Sequence, residues 1–315
     1  MALYVVTGGA GFIGSHLVDA LLADNHVVRV IDDLSSGRPG NLDPRAELFL
    51  GDVAEPALVR RAMAGAAGCF HLAAVASVVR CNEDWVGSHR TNLTGTVVVL
   101  DAARAAGQLP VVYASSAAIY GDQGAGPIAE DAQPSPLSAY GADKLGSELH
   151  ARAGFGVHGV PTTGLRFFNV YGPRQDPASP YSGVVSIFAA RIAAGLPITI
   201  HGDGQQVRDF VYVADVVRHL RAAMSRQQAT PDASALNVCT GRPTTVLALA
   251  QTLSAVVGRS ARVGFGPARP GDIRSSLGNP GRAAAALGVS APTMLSDGLT
   301  LTLARLSTGA IPLVA

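Results

Sequence analysis

The chain has 315 residues, 48% of them hydrophobic, and a formal net charge of +1. That length exceeds one minimal domain and suits a large α/β domain with a smaller lobe, and the apolar content allows a large core. With no basic run, no acidic tail and no apolar run long enough for a bilayer, the sequence argues against nucleic-acid and membrane partners.

The elements alternate from the start. Residues 3–7 (LYVVT) are an apolar strand, so no leader is expected ahead of the fold. A glycine-rich turn and a helix over 11–24 follow. Further strands are expected at 27–32, 47–50, 69–73 and 110–115, with helices at 55–65 and 88–106. A helix over 138–153 and a strand over 162–168 complete the regular part. Short apolar strands alternating with helices predict a doubly wound parallel sheet of the Rossmann type. Beyond residue 170 proline and glycine become frequent. Residues 1–170 are therefore read as a dinucleotide-binding domain, and 171–315 mainly as a smaller C-terminal substrate lobe, some of whose segments return to the large domain. Asp203-Gly204, between ITIH and RDFVYV, predicts a β-hairpin. Cys69, Cys81 and Cys239 are odd in number and lack CxxC spacing, which suits a thiol-reducing cytoplasm and gives no support to a metal site.

Three features carry chemistry. The first is TGGAGFIGSHL (7–17), where Gly8, Gly11 and Gly14 recur every third residue and Gly9, Gly11 and Gly14 fit GxGxxG. Directly after a strand and opening a helix, such glycines let the backbone approach a pyrophosphate, and the helix N-terminus supplies N–H donors. The second is Asp32, which ends the next strand. An acid there accepts from ribose hydroxyls and repels a 2′-phosphate, favouring NAD over NADP, although Arg38 lies close in sequence.

The third is Tyr140-Gly-Ala-Asp-Lys144, whose outer pair shares one helix face. The chain has 23 arginines and one lysine, and that lysine is Lys144. A compact ammonium beside a tyrosine stabilises its phenolate, which can then take a proton from an alcohol as hydride leaves the carbon. Ser115 and Ser116 end a buried strand, where doubly wound sheets place their ligands.

These motifs are similar to those of the extended short-chain dehydrogenase/reductases that act on nucleotide sugars, the NAD-dependent epimerase/dehydratase family. Within it the chain most resembles the UDP-glucose and UDP-N-acetylglucosamine 4-epimerases. The resemblance spans roughly residues 3–306. It runs through IDDLSSG (31–37), GDV (51–53), HLAA (71–74), TNLTGT (91–96), SSAAIYG (115–121), RFFNVYGPRQ (166–175), GDGQQVRDFVYVAD (202–215), NVCTG (237–241) and RPGDIRSS (269–276). It implies that Gly8, Gly11, Phe12, Ile13 and Gly14 hold the pyrophosphate of NAD. Asp32, Asp33, Ser36 and Gly37 would surround its adenosine ribose, and Asp52 and Val53 its adenine. Leu72, Ala73 and Ala74 would line the cofactor, with Asn92 in support. Ser116, rather than Ser115, matches the hydroxyl residue that contacts substrate, so the implied catalytic set is Ser116, Tyr140 and Lys144. Asn169, Arg208 and Arg269 would bind the UDP-sugar. A residue as small as Ser276 would admit an N-acetyl group. The resemblance further implies a homodimer through a helix bundle.

Departures narrow the reaction. The 4,6-dehydratases of the family carry an Asp-Glu pair after the hydroxyl residue, where this chain has Ala117 and Ala118. Some UDP-glucuronate epimerases carry an arginine after GPRQ, where this chain has Asp176. The expected activity is 4-epimerisation of a UDP-hexose with tightly bound NAD. UDP-glucuronate epimerisation, net nucleotide-sugar oxidation or reduction, and a non-catalytic dinucleotide sensor are the alternatives.

Overall fold

The structure is a computed structural model that describes residues 1–175, 183–268 and 272–308. Asp176 and Arg269 lie outside the described residues. In chain order the elements begin β1 (Leu3–Thr7), α1 (Phe12–Ala23), β2 (Val27–Asp32), β3 (Glu47–Leu50), α2 (Pro56–Met63) and β4 (Gly68–His71). Next come α3 (Val78–Glu83), α4 (Trp85–His89), α5 (Gly95–Ala105), β5 (Val111–Ser116), β6 (Pro127–Ile128), α6 (Ala139–His158) and β7 (Thr162–Phe167). Then follow β8 (Asn169–Tyr171), α7 (Val184–Ala193), β9 (Ile198–His201), β10 (Val207–Arg208), β11 (Phe210–Tyr212) and α8 (Val213–Ala229). The last are β12 (Ala233–Val238), β13 (Thr244–Thr245), α9 (Val246–Val257), β14 (Val263–Gly266), β15 (Ser275–Gly278), α10 (Gly281–Leu287) and α11 (Leu295–Thr308).

Seven strands form one parallel sheet in the order β12-β7-β5-β4-β1-β2-β3. Its inner strands are mostly buried and rich in apolar residues because both faces are covered. Tyr4 and Val6 pack with Leu17, Leu21 and Leu220 on one face. Val5 packs with Leu58, Val59 and Val99 on the other. The strand order reverses between β1 and β4, the topological switch point where such sheets open a crevice at their carboxyl ends. Later segments do return to the sheet: β12 pairs with β7, and Val216, Leu220 and Ala223 of α8 join the core with α1.

A separate apolar core gathers Tyr171, Phe188, Ile192, Ile198, Ile200, Phe210, Leu249, Leu253 and Leu299. Here the expected hairpin does not form. Asp203-Gly204 lies in a turn in which Gly202 and Gly204 both have positive φ, but the strands it joins belong to different sheets. β9 pairs with β14, and β10 with β13 and β15. The turn residues forecast the chain reversal correctly, but strand pairing was decided by long-range partners. Two other elements also differ. The helix expected over 88–106 is three pieces, with a π-helical turn at Arg90–Thr94 between α4 and α5. Helix α6 runs five residues past the expected end and stops at Gly159, whose φ of +69° closes it in the left-handed region.

Candidate active site

The glycine turn sits at the end of β1, on the switch point. Bare backbone is required there. A Cβ on Gly8 would lie 2.7 Å from the Ala73 nitrogen, and one on Gly14 only 2.1 Å from the Gly8 oxygen. No side chain caps Gly11, and the first turn of α1 carries no acidic residue. The N–H groups of Phe12 and Ile13 therefore face the crevice without an intrahelical acceptor, at the positive end of the helix. This cradle fits a pyrophosphate.

Asp32 is nearly buried at the end of β2. Its carboxylate accepts from the Ala10 and Leu34 N–H groups, each at 2.9 Å, and so ties the glycine turn to the strand end. Burial raises its pKa, and those two bonds oppose the rise. Both oxygens keep lone pairs for a ribose hydroxyl. A Cβ on Gly37 would meet Asp32 Oδ1 at 2.7 Å, so the loop closes against the carboxylate. Asp33 and Ser36 are exposed on that loop, where Asp33 Oδ1 accepts from the Ser35 N–H. Asp52 accepts from the Ala54 N–H at 2.8 Å and from Arg90 at 2.9 Å, beside buried Val53.

The chain at Leu72, Ala73 and Ala74 passes alongside the glycine turn, and two buried groups that sequence reasoning did not single out hold it there. Thr7 Oγ1 accepts from the Leu72 and Ala73 N–H groups, each at 3.1 Å. Its own proton is thereby directed to His71 Nδ1, 2.8 Å away. His71 Nε2 then carries the ring proton toward Thr96 Oγ1 at 3.0 Å, and Thr96 donates to the Asn92 carbonyl at 2.7 Å. Burial holds His71 down to about 3, so the ring stays neutral. Asn92, fully buried in the π-helical turn, pins Val75 through both its amide atoms. Cys81 is buried beside it and donates to the Val75 carbonyl.

Tyr140 and Lys144 occupy the sheet-facing side of α6. Lys144 is 2% exposed, donates to the Ala114 carbonyl at 2.8 Å, and lies 5.8 Å from the centre of the Tyr140 ring. Burial pushes the Tyr140 phenol up to about 12, and hydrogen bonding by Ser116 opposes that rise. Ser116 also accepts from the Ala118 N–H at 3.1 Å. Ser115 points elsewhere and donates to Glu148.

Burial pushes Lys144 down from 10.5 to about 8, against the charge of Asp143. Below about pH 8 Lys144 is cationic in both folded and unfolded chains, so the full cost of burying its charge is present there. That cost is relieved as pH rises toward 10.5. Turnover is expected to follow the opposite course, falling as pH rises through about 8, because the phenol then loses its neighbouring charge. A pH–rate profile still climbing at pH 9 would contradict this assignment.

The smaller core carries the remaining predicted residues. Asn169 opens β8, exposed, and is the register partner of Phe210 on β11. Arg208 is the register partner of Ser276. Its guanidinium bonds Asp272 at 2.5 Å and the Ile273 carbonyl at 2.8 Å.

A glycine cradle at the switch point of a doubly wound sheet, with an acid at the second strand end and a buried lysine behind a tyrosine, defines a dinucleotide-binding enzyme of the short-chain dehydrogenase/reductase class. The family model described as the NAD dependent epimerase/dehydratase family matches residues 4–239, and the chain belongs to that family. It is 37% identical over 305 residues to a UDP-glucose 4-epimerase of Mycolicibacterium smegmatis, covering 95% of this chain and 96% of that one. The crystal structure of UDP-glucose 4-epimerase with UDP-glucose from Thermotoga maritima superposes with a TM-score of 0.93 at 37% identity, covering 97% of this chain and 99% of that one. A UDP-N-acetylglucosamine 4-epimerase from Methanobrevibacter ruminantium, in complex with UDP-N-acetylmuramic acid, superposes with a TM-score of 0.92 at 31% identity over 98% of both chains.

Proposed function

We propose that this chain is a UDP-sugar 4-epimerase acting on a neutral or N-acetylated UDP-hexose with tightly held NAD. The observation that supports the reading is that Lys144 and Ser116 sit at the carboxyl end of β5, on the same edge of the parallel sheet as the glycine turn that follows β1, two strands away. The backbone of Gly8, Gly11, Phe12, Ile13 and Gly14 would hold the pyrophosphate. Asp32, with Asp33, Ser36 and Gly37, would hold the ribose, and Asp52 and Val53 the adenine. Leu72, Ala73, Ala74 and Asn92 would line the nicotinamide side. When bound, NAD supplies a hydride acceptor and donor.

The protein's own groups then move one proton. Tyr140 takes it from the sugar 4-hydroxyl and returns it to the 4-keto oxygen once the sugar has presented its other face. Lys144 stabilises the phenolate. Ser116 holds the reacting oxygen. Because the net reaction is redox neutral, retention of NAD costs no turnover. Ala117 and Ala118, in a short helical turn after Ser116, offer no acid–base pair for loss of water. Residues 171–315 mainly supply the substrate lobe, where Arg208 and Arg269 would bind the diphosphate and Ser276 would face the sugar, while Asn169, just before it, would hydrogen-bond the nucleotide sugar. Arg208 would exchange its bond to Asp272 for phosphate oxygens, which match its fork of donors.

We further propose a cytoplasmic homodimer. The outer faces of α5 and α6 leave Val97 and Val157 exposed at a groove also lined by Leu100, His150 and Ala153, a surface suited to a second copy. The free thiols Cys69, Cys81 and Cys239 suit a reducing compartment. Among the described residues no helix is long and apolar enough to cross a membrane.

The test is an NMR assay. Purified protein, without added cofactor, is incubated separately with UDP-glucose, UDP-N-acetylglucosamine and UDP-glucuronate while the anomeric and H4 signals are followed. The 4-epimer is expected with one of the first two sugars. Product only with UDP-glucuronate would move the assignment to the acidic sugar. Stoichiometric consumption of added NAD would replace epimerisation by net oxidation.

A further inference from the structure

We infer that Ser115 and Glu148 are positioning residues, clamping the helix that carries Tyr140 and Lys144 to the strand that carries Ser116. The inference rests on the epimerase reading and adds a second layer behind its reacting groups.

Tyr140, Lys144 and Glu148 are spaced four apart, so they form one stripe down α6. Ala114, Ser115 and Ser116 are consecutive at the end of β5. The stripe meets this tripeptide at three points. Ser116, at the strand end, is close enough to Tyr140 to oppose the rise of its phenol. Lys144 Nζ donates to the Ala114 carbonyl at 2.8 Å. The Ser115 hydroxyl donates to Glu148 Oε1 at 2.5 Å. Of these three, the Ser115–Glu148 bond alone ties strand to helix through side chains that reach neither cofactor nor substrate.

Glu148 is itself held from behind. Arg166, the register partner of Ser115 on β7, grips both carboxylate oxygens, with Nε at 2.9 Å and Nη2 at 2.7 Å. Its remaining arm donates to the Tyr120 hydroxyl at 2.7 Å and the Glu130 carbonyl at 2.9 Å. Tyr120 in turn donates to Asn237 on β12 at 2.7 Å. Ser115, Glu148 and Arg166 are all under 10% exposed. The carboxylate is thus anchored to three strands of the sheet, and the helix is anchored to the carboxylate. A small slide or roll of α6 would move the Tyr140 oxygen away from Ser116. Reacting groups tolerate little such movement, since a misplacement of about 1 Å can cost about a hundredfold in rate.

Ser115 offers the cleaner test, because removing its hydroxyl leaves the Glu148–Arg166 pair intact and no buried charge uncompensated. Ser115→Ala, Ser115→Thr and Glu148→Gln are prepared as NAD-loaded full chains, assayed by steady-state epimerisation and crystallised. Ser115→Ala is expected to lower kcat about tenfold while the sugar KM stays within about twofold. Ser115→Thr, which restores the hydroxyl, should recover most of that loss. In the crystal of Ser115→Ala the Tyr140 oxygen should move by about 0.5 Å or more relative to Ser116, the tolerance of a preorganised site. Glu148→Gln should show the same kcat-dominated loss, with a lower melting temperature. An NAD-loaded Ser115→Ala with unchanged kcat, or with Tyr140 in its wild-type position, overturns the inference. Equal losses in the Ala and Thr variants do so as well. The crystallographic measurement decides the positioning role even if wild-type protein turns over none of the sugars, an outcome that would count against the epimerase reading alone.

Discussion

Tyr140→Phe is expected to give a folded, NAD-loaded protein that epimerises at least a hundredfold more slowly than wild type. The substitution removes one oxygen from a partly exposed ring and leaves the packing of α6 in place. What disappears is the only group at this position able to take and return a proton. Loss of positioned acid–base catalysis costs about 10²–10⁴ in rate. The demand on the site is large, because burial pushes this phenol up to about 12, far from neutrality, even with Ser116 opposing the rise. Ser116 works against that penalty, and Lys144 lies 5.8 Å from the ring centre. The rate is measured by the NMR assay, and bound NAD is measured after denaturing the protein. Turnover within tenfold of wild type would remove Tyr140 from the mechanism.

The second large effect is expected at the cradle. Gly14→Ala places a Cβ 2.1 Å from the Gly8 oxygen, 2.8 Å from the Gly8 carbonyl carbon and 2.9 Å from the Gly9 Cα. All three atoms are backbone, so no side chain can swing aside. Relief must come from shifting the turn or the start of α1, and overpacking of this kind costs about 1–3 kcal/mol. The purified variant should contain little or no NAD and melt several degrees lower. Gly40→Ala is the matched control, because its Cβ would meet nothing within 4 Å. A Gly14→Ala protein carrying one NAD per chain would contradict the pyrophosphate assignment.

The central sheet and the region around the smaller apolar core differed in how much of their structure could be read from the sequence. Strands β1, β2, β4 and β5 are largely buried, and each carries a short apolar run. Such runs are visible without any knowledge of their neighbours. In the region with β9, β10, β13 and β14, strands of two to four residues are too short for periodicity to report their partners. The Asp203-Gly204 turn therefore suggested a hairpin that the chain does not make.

The site divides along the same line. The cradle and the Tyr140–Lys144 stripe lie within spans of a few residues, where backbone geometry dictates which groups meet. Glu148 continues that stripe by one more turn, but no role for it was legible in the sequence. The His71 chain and the hold of Arg166 on Glu148 were not legible either, since their partners lie on separate strands and helices.

By itself, then, the sequence determined the parallel sheet, the glycine turn, the acid at the end of the second strand and the paired tyrosine and lysine. These depend on local periodicity, on glycine's lack of a Cβ and on strands buried on both faces. Only the tertiary structure decided that Ser115 serves Glu148 while Ser116 serves Tyr140, that His71 is neutral with its proton on Nε2, and that Arg208 rests on Asp272. Each of those outcomes depends on which distant groups share a buried space, because a buried polar atom bonds to whatever partner the fold brings within reach.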